Sequence, residues 1–366
     1  MDLDLVHFYL GIASGGLDQR FPYGGHGDYV TTFDFTKLGV QEGLFLKLRA
    51  EHRFGENVNS DTGAFLPFAV PPHFPVLDID DLLLTNVLFT QFLSEQFGVF
   101  FGKLDTLDGD PNALAHGRGK TQFSNVGFVA NPIALRTIPY STLGCGFVIL
   151  GEEPEPLFSF TLINPTDTAE TDGFNELFAE GVAMAAELRL PTQFFGLPGH
   201  QLWAGTWSSR DYIALGQDPR IILPDVPINE AQGSWSLYWN FDQYLFVDPS
   251  NDERGWGAFG RAGIADPDAN PLQWFLSFGL GGHNPKSGRE ADTFGLGWFV
   301  AGTSGEIGPF LPAAFGPIED GHGIELYYNW QATPQLNVTP DLQVIVPART
   351  NVETSLLVGI RAVMRL

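Results

Sequence analysis

GHGIELYYNWQATPQLNVTPDLQVIVPARTNVETSLLVGIRAVMRL, residues 321–366, holds three segments of about ten residues, the length of a tilted β-strand that crosses a bilayer. In the first, Ile324, Leu326, Tyr328 and Trp330 share one face, and Glu325, Tyr327, Asn329 and Gln331 share the other. The second sets Leu336, Val338, Leu342, Val344 and Val346 against Asn337, Thr339, Asp341 and Gln343. The third sets Leu356, Val358, Ile360, Ala362, Met364 and Leu366 against Gly359, Arg361 and Arg365. A period of two means strands, because successive side chains point to opposite faces of a pleated backbone. Soluble sandwiches alternate in the same way. Here, however, carboxylates and guanidinium groups occupy one face in mid-strand and almost no polar atom interrupts the other, which suits a membrane barrel with a wet interior.

Outward from this block, further alternating segments lie near residues 7–13, 29–36, 44–53, 81–92, 98–105, 143–150, 157–163, 182–190, 201–207, 234–244, 256–264, 272–281 and 293–300. The total is about sixteen, the even count that single-chain bacterial barrels require. The connectors sort by length. Long ones follow odd-numbered strands, as at 14–28, 55–80, 106–142, 164–181, 208–233 and 301–322, whereas short ones such as LSEQF, GEEPEP and QATPQ follow even-numbered strands. ADPDANP and PARTNVE are short where long loops are allowed. Membrane barrels have long extracellular loops and short periplasmic turns, and a soluble sandwich has no reason to sort its loops. The expected fold is therefore all-β: one transmembrane antiparallel barrel domain spanning 1–366, with loop 106–142 folded inward as the constriction.

Composition agrees. Charged residues make up 17% of the 366, below the roughly 25% of soluble domains, while Gly (43), Phe (32) and Trp (8) are abundant. No apolar run approaches the ~18 residues of a membrane helix. The start, MDLDLVHFYLGIA, is acidic where a secretory leader is basic, so the chain reads as a mature or truncated form. A net charge of −24 excludes nucleic acid as a partner. The acidic surplus solvates the loops or collects divalent cations. Cys145, the single cysteine, reads as a small strand residue.

If the apolar parity meets lipid, the opposite parity lines the pore. That assigns Lys47, Arg49 and Glu51 to the lumen from GLFLKLRAEHRF, and Lys103 and Asp105 from GVFFGKLDT, with Phe100, Gly102 and Leu104 facing out. Glu187 and Arg189 follow from VAMAAELRL, Tyr238 and Asn240 from SWSLYWNFD, and Arg261 from WGAFGRAG. Glu325, Asn329, Asp341 and Arg361 complete the set from the C-terminal block. Such a surface offers donors and acceptors to hydroxyl groups rather than the one-sign ring of an ion filter. Arg and Glu on adjacent strands can equally pair to stiffen the wall. Trp235, Trp239, Trp256, Trp274, Trp298 and Trp330 read as interfacial girdle residues.

Catalysis has no support. The eight histidines show no metal-ligand spacing, no nucleophile elbow appears, and GGHNPKSG has Pro285 where a phosphate loop needs glycine before the lysine. The acidic pairs Asp80–Asp81, Glu152–Glu153 and Asp266–Asp268 sit in predicted turns, and DTLDGDPN at 105–112 offers oxygen ligands without the EF-hand spacing. No cofactor or metal is expected.

Several stretches resemble the carbohydrate-selective porin family, the OprB type of Gram-negative outer membranes: FGVFFGKLDT, GWGAFGRAGIADPDANPLQWFLSFGL and, most specifically, ELYYNWQATPQLNVTPDLQVIVPA with the closing strand. The resemblance implies a sixteen-stranded outer-membrane barrel that passes sugars by facilitated diffusion, with Lys103, Asp105, Arg261, Glu325 and Asn329 as lumen residues. Its partners would be monosaccharide-type solutes and outer-membrane lipid, as a monomer or a homo-oligomer. The terminal Leu366 departs from the aromatic residue common at the end of such barrels. A general or anion-facilitating porin is the alternative within the class, and a soluble all-β glycan-binding or glycan-hydrolysing protein is the alternative outside it.

Overall fold

The computed structural model describes residues 2–77, 79–151, 155–217 and 229–366. Sixteen strands follow one another: β1 (Asp2–Ser14), β2 (Tyr23–Asp34), β3 (Leu44–Gly55), β4 (Leu83–Phe92), β5 (Phe97–Asp105), β6 (Ser141–Leu150), β7 (Pro156–Ile163) and β8 (Ala183–Phe194). The second half comprises β9 (Leu197–Ile213), β10 (Glu230–Asp248), β11 (Asn251–Ala265), β12 (Leu272–His283), β13 (Thr293–Thr303), β14 (Gly321–Thr333), β15 (Leu336–Val346) and β16 (Ser355–Arg365). Each pairs antiparallel with its sequence neighbours, and β1 closes on β16 with His7 opposite Ala362, so the sheet has no edge. Closure satisfies every strand's backbone groups, a condition for crossing hydrocarbon. The expected strand positions agree with these to within a few residues at most ends. However, β9 and β10 run further than their alternation suggested, through Ile213 and from Glu230. The Glu152–Glu153 pair lies outside the described residues.

Outward faces carry the apolar set. Ile360, Phe278, Leu296 and Leu237 are each at least half exposed on that surface. Trp203, Trp207, Trp235, Trp274 and Trp330 are also exposed there. Two strands break the simple parity. On β1 the inward residues are Val6, Phe8, Leu10 and Ile12, all buried. On β5 the expected faces are exchanged as far as Leu104, which is buried inside against Ile163 and Ala183 with Phe100 packed on them, while Asp105 at the strand's end still meets Arg49 inside. Lys103 is opposite Val87 and Leu143 and shares the outward face with the exposed Phe101. Its ammonium there donates to the carbonyls of Ala169 (2.9 Å) and Thr171 (2.6 Å), in the loop between β7 and β8. Two side chains of the FGVFFGKLD strand can be apolar on either face, so the alternation alone does not fix which parity meets lipid. What decides it is that the inward pair has Ile163 of β7 and Ala183 of β8 to pack against.

The lipid face makes a direct prediction. Replacing Ile360, in mid-strand, by Lys should cost about 2–4 kcal/mol in vesicles, while the same change at Phe195, exposed in the β8–β9 turn, should cost about 0–1 kcal/mol. Equilibrium urea unfolding in lipid reads both.

Candidate functional site

The loop at 106–140 enters the lumen and descends toward the short-turn end, and two strand arginines hold it. Arg261, fully buried, donates from Nε to Asp110 Oδ2 (2.7 Å), from Nη1 to Phe128 O (2.8 Å) and from Nη2 to Ala115 O (2.9 Å). Arg361, also fully buried, donates to the carbonyls of Gly119 and, at 2.6 Å, Gln122. The opposite polarity comes from Glu325, which accepts from the backbone N–H groups of Ser124 (2.6 Å) and Asn125 (2.9 Å). Asn240 donates to Asp110 Oδ1 (2.7 Å), Asn329 to Thr121 O (2.9 Å), and Asp341 accepts from Ser124 Oγ (3.3 Å). An irregular segment inside a barrel must find partners for its own backbone groups, and these wall residues are those partners.

Apolar packing completes the seat. Phe123 and Phe128 of the loop pack edge-to-face among Phe259, Phe299 and Tyr327 of the wall, with ring centres 4.9–5.6 Å apart at Phe123–Phe259, Phe123–Tyr327 and Phe128–Phe299. Gly297 on β13 makes room, since a Cβ there would stand 2.6 Å from the Phe128 ring. The segment at 56–77 also folds inward. Its Val70 N–H donates to Ser124 O (2.8 Å), and its Pro67 carbonyl accepts from Val126 N (3.1 Å).

Along β1–β5 the contact is ionic. Arg118, at the loop's inward bend, donates to Glu51 (3.1 Å), Asp105 (2.8 Å) and Asp108 (2.7 Å). Arg49 meets Asp28 (3.2 Å), Asp105 (2.8 Å) and Asp108 (3.0 Å), Lys47 meets Asp108 (2.7 Å), and Lys120 meets Asp28 (2.6 Å) and Asp4 (3.0 Å). Each cation therefore has at least one carboxylate. Burial works against the charge on Arg118, but Asp105, Glu51 and Asp108 around it outweigh that and raise its pKa. Burial likewise opposes the Asp108 carboxylate, yet Arg118, Arg49 and Lys47 together hold it well below the usual range. Arg118 sits at φ 50°, between Gly117 and Gly119, which are also left-handed. A left-handed arginine costs about 1 kcal/mol or more, so its ion pairs hold the bend. His26, Asp28 and Glu51 bring ligand-type atoms within 4.8 Å of one another. Arg49, Arg118 and Lys120 already occupy those carboxylates. In DTLDGDPN, Asp105, Asp108 and Asp110 likewise pair with arginines.

Of the expected lumen residues, all but Lys103 lie on inward faces, but most stand behind the loop rather than in open water. Arg49, Glu51, Asp105, Asn240, Arg261, Glu325, Asn329, Asp341 and Arg361 are buried. Arg189 pairs with Glu155 near a short turn. Glu187 accepts from Tyr238 OH (3.0 Å) and from the Asp110 N–H (3.1 Å). Arg118, Lys120 and Asp28 were not singled out from the sequence. The signal was present in HGRGKTQF, two cations set among glycines in a strongly acidic chain.

What stays open is a cavity of about 400 Å³ between the loop and the β4–β10 wall. Leu88, Phe100, Leu104, Val148 and Ile163 line one side, interrupted by Ser159 and Thr161. Asp108, Asn131, Glu187, Thr206 and Tyr238 supply polar groups to it. Such a volume falls in the roughly 300–1,000 Å³ range of small-molecule sites.

A closed sixteen-stranded barrel with an apolar outer surface, long loops at one end and a loop pinned inside is an outer-membrane diffusion porin. The model of the carbohydrate-selective porin, OprB family, matches residues 18–365, and the chain belongs to that family. It is a carbohydrate-selective porin of the Gram-negative outer membrane. The family and fold are those of transport channels rather than enzymes. The high-pH structure of Pseudomonas putida OprB is similar with a TM-score of 0.84 at 19% identity, covering 100% of this chain and 93% of that one. The low-pH structure of the same protein gives 0.57 at 15% identity, covering 100% and 91%. The trimer form of Vibrio cholerae OmpT gives 0.54 at 12% identity, covering 100% and 98%. No curated protein matches the chain.

Two predictions follow from the anchors. Arg261→Ala strips partners from the Asp110 carboxylate and four loop carbonyls, a loss of about 3–5 kcal/mol for a broken buried pair. The barrel should still migrate as folded on unheated gels while single-channel conductance and entry of larger oligosaccharides rise. The second concerns acid. Burial, with Arg261 and Arg118 beside it and Asp108 and Asp110 opposing, pushes the His116 imidazole down to about 4. In the 56–77 segment, burial and Arg53 push His73 to about 4 as well. Their ordinary value is 6.5, so a displaced loop gains protons that a seated loop refuses. Seating is unaffected above about pH 6.5 and weakens as pH falls from there to about 4. Current noise should grow across that window, and His116→Gln should flatten the loop's share of it.

Proposed function

We propose that monosaccharides cross through the cavity between the inward loop and the β4–β10 wall, and that its two-sided lining selects them. A pyranose has a C–H face and a rim of hydroxyls. The strip of Leu88, Phe100, Leu104, Val148 and Ile163 suits the first. The second suits Asp108, Glu187, Thr206 and Tyr238. Glu187 uses Oε1 for both Tyr238 and Asp110, and Oε2 accepts from a solute hydroxyl. Ion selectivity would need unbalanced charge along the path, whereas Lys47, Arg49 and Arg118 are matched by Asp105, Asp108 and Glu51. The observation that carries this reading is the amphiphilic lining. No bond is made or broken, and passage is downhill.

Liposome swelling tests it. Wild-type protein should admit glucose faster than organic acids of similar size. Phe100→Ser and Glu187→Ala should each reduce that preference several-fold while conductance in salt stays near the wild-type value. Unchanged preference in both variants would refute the path.

A further inference from the structure

A second basin, of about 350 Å³, opens at the short-turn end of the barrel, below the tip of the inward loop. Arg254 and Arg365 line it, together with Gln331, Asn337 and Thr121. No carboxylate is among its lining residues. Among the described residues neither Arg254 nor Arg365 makes an ion pair within 4.0 Å, in contrast to the matched cations deeper in the lumen. Acidic groups stand near but hold neither arginine: Asp248 and Glu290 share an adjoining cavity with Arg254, and Asp4, opposite Arg365 across the β1–β16 seam, pairs with Lys120 (3.0 Å). Asp292 is occupied by Tyr328 OH (2.6 Å) and Gln331 N (2.9 Å). Asn337 is 4% exposed, and its Oδ1 has no hydrogen-bond partner although its Nδ2 donates to Asn329 (2.6 Å). A buried acceptor without a donor is costly, and a ligand hydroxyl would supply the missing donor.

We propose that this basin is a binding station for acidic monosaccharides, hexoses that carry a carboxylate. Guanidinium forks take a carboxylate bidentately, and the two unpaired arginines supply them. The Gln331 amide and Asn337 Oδ1 serve the ring hydroxyls. In a chain of net charge −24, this is where an anionic sugar meets guanidinium groups that no carboxylate of the basin's own lining holds. The station deepens the sugar-passage reading and rests on it for the solute's route, since it names a substrate class that the neutral cavity above does not distinguish.

The test is single-channel recording of the full chain in planar bilayers, with glucuronate or glucose added on the short-turn side. Glucuronate should interrupt the wild-type current at about tenfold lower concentration than glucose, and the interruption should fade at high salt. Arg254→Gln with Arg365→Gln should lose that factor while glucose passage is unchanged. Arg365→Gln alone, at an exposed strand end, gives an intermediate loss and serves where the double variant folds poorly. Equal glucuronate affinity in wild type and both variants would overturn the station. Arginine-dependent glucuronate block without any glucose passage would uphold the station and overturn the path proposed above it.

Discussion

Two guanidinium groups five strands apart on the wall, those of Arg261 and Arg361, hold six carbonyls of one irregular loop between them. A sixteen-stranded barrel is wider than its side chains can fill. Chain must therefore enter the lumen to narrow it, and entering exposes backbone that has neither sheet partners nor free access to water. Arginine solves this with five donors in a rigid fork, enough for several carbonyls at once. Glu325 does the reverse for two successive N–H groups. The wall is thus complementary to the loop's backbone as well as to its side chains.

The ionic cluster on β1–β5 works by the same logic with more at stake. Each buried charge would be costly alone, but the cluster is close to balanced, and its members share partners. Arg118 joins three carboxylates from the wall and the loop's own start. One consequence is mechanical, because the bend at 117–119 is held where it is. Another is electrostatic. A lumen in a chain of net charge −24 presents little unbalanced charge along the main passage, which fits the traffic of neutral hydroxylated solutes.

These contacts divide the lumen into unequal halves. On the side of β11–β16 and β1 the loop is packed against Phe259, Phe299, Tyr327 and Val363. On the side of β4–β10 it stands off, and the cavity remains. The apolar inward residues of β1 and β5 belong to this division. They serve as packing partners for in-folded chain or as the apolar strip of the open path, not as misplaced lipid-facing positions.

How much of this was legible depends on what each feature rests on. Alternation in residues 321–366 is local, so the strands, their faces and the sorting of long loops from short turns could be read without coordinates, and they placed Arg261, Glu325 and Arg361 inside. The β5 strand shows the limit. Phe100, Phe101, Leu104 and Lys103 satisfy either parity, and contact with Ile163 and Ala183 chose one. That a charged residue points inward is likewise a property of its strand, whereas whether it meets solute or loop depends on residues a hundred or more positions away, such as Asp110 for Arg261 and Gln122 for Arg361. Hydrophobic periodicity determined the barrel from the sequence. The seating of the loop, and with it the position of the pore, was decided only by tertiary contacts, because backbone carbonyls carry no sequence signature of the partner that will bind them.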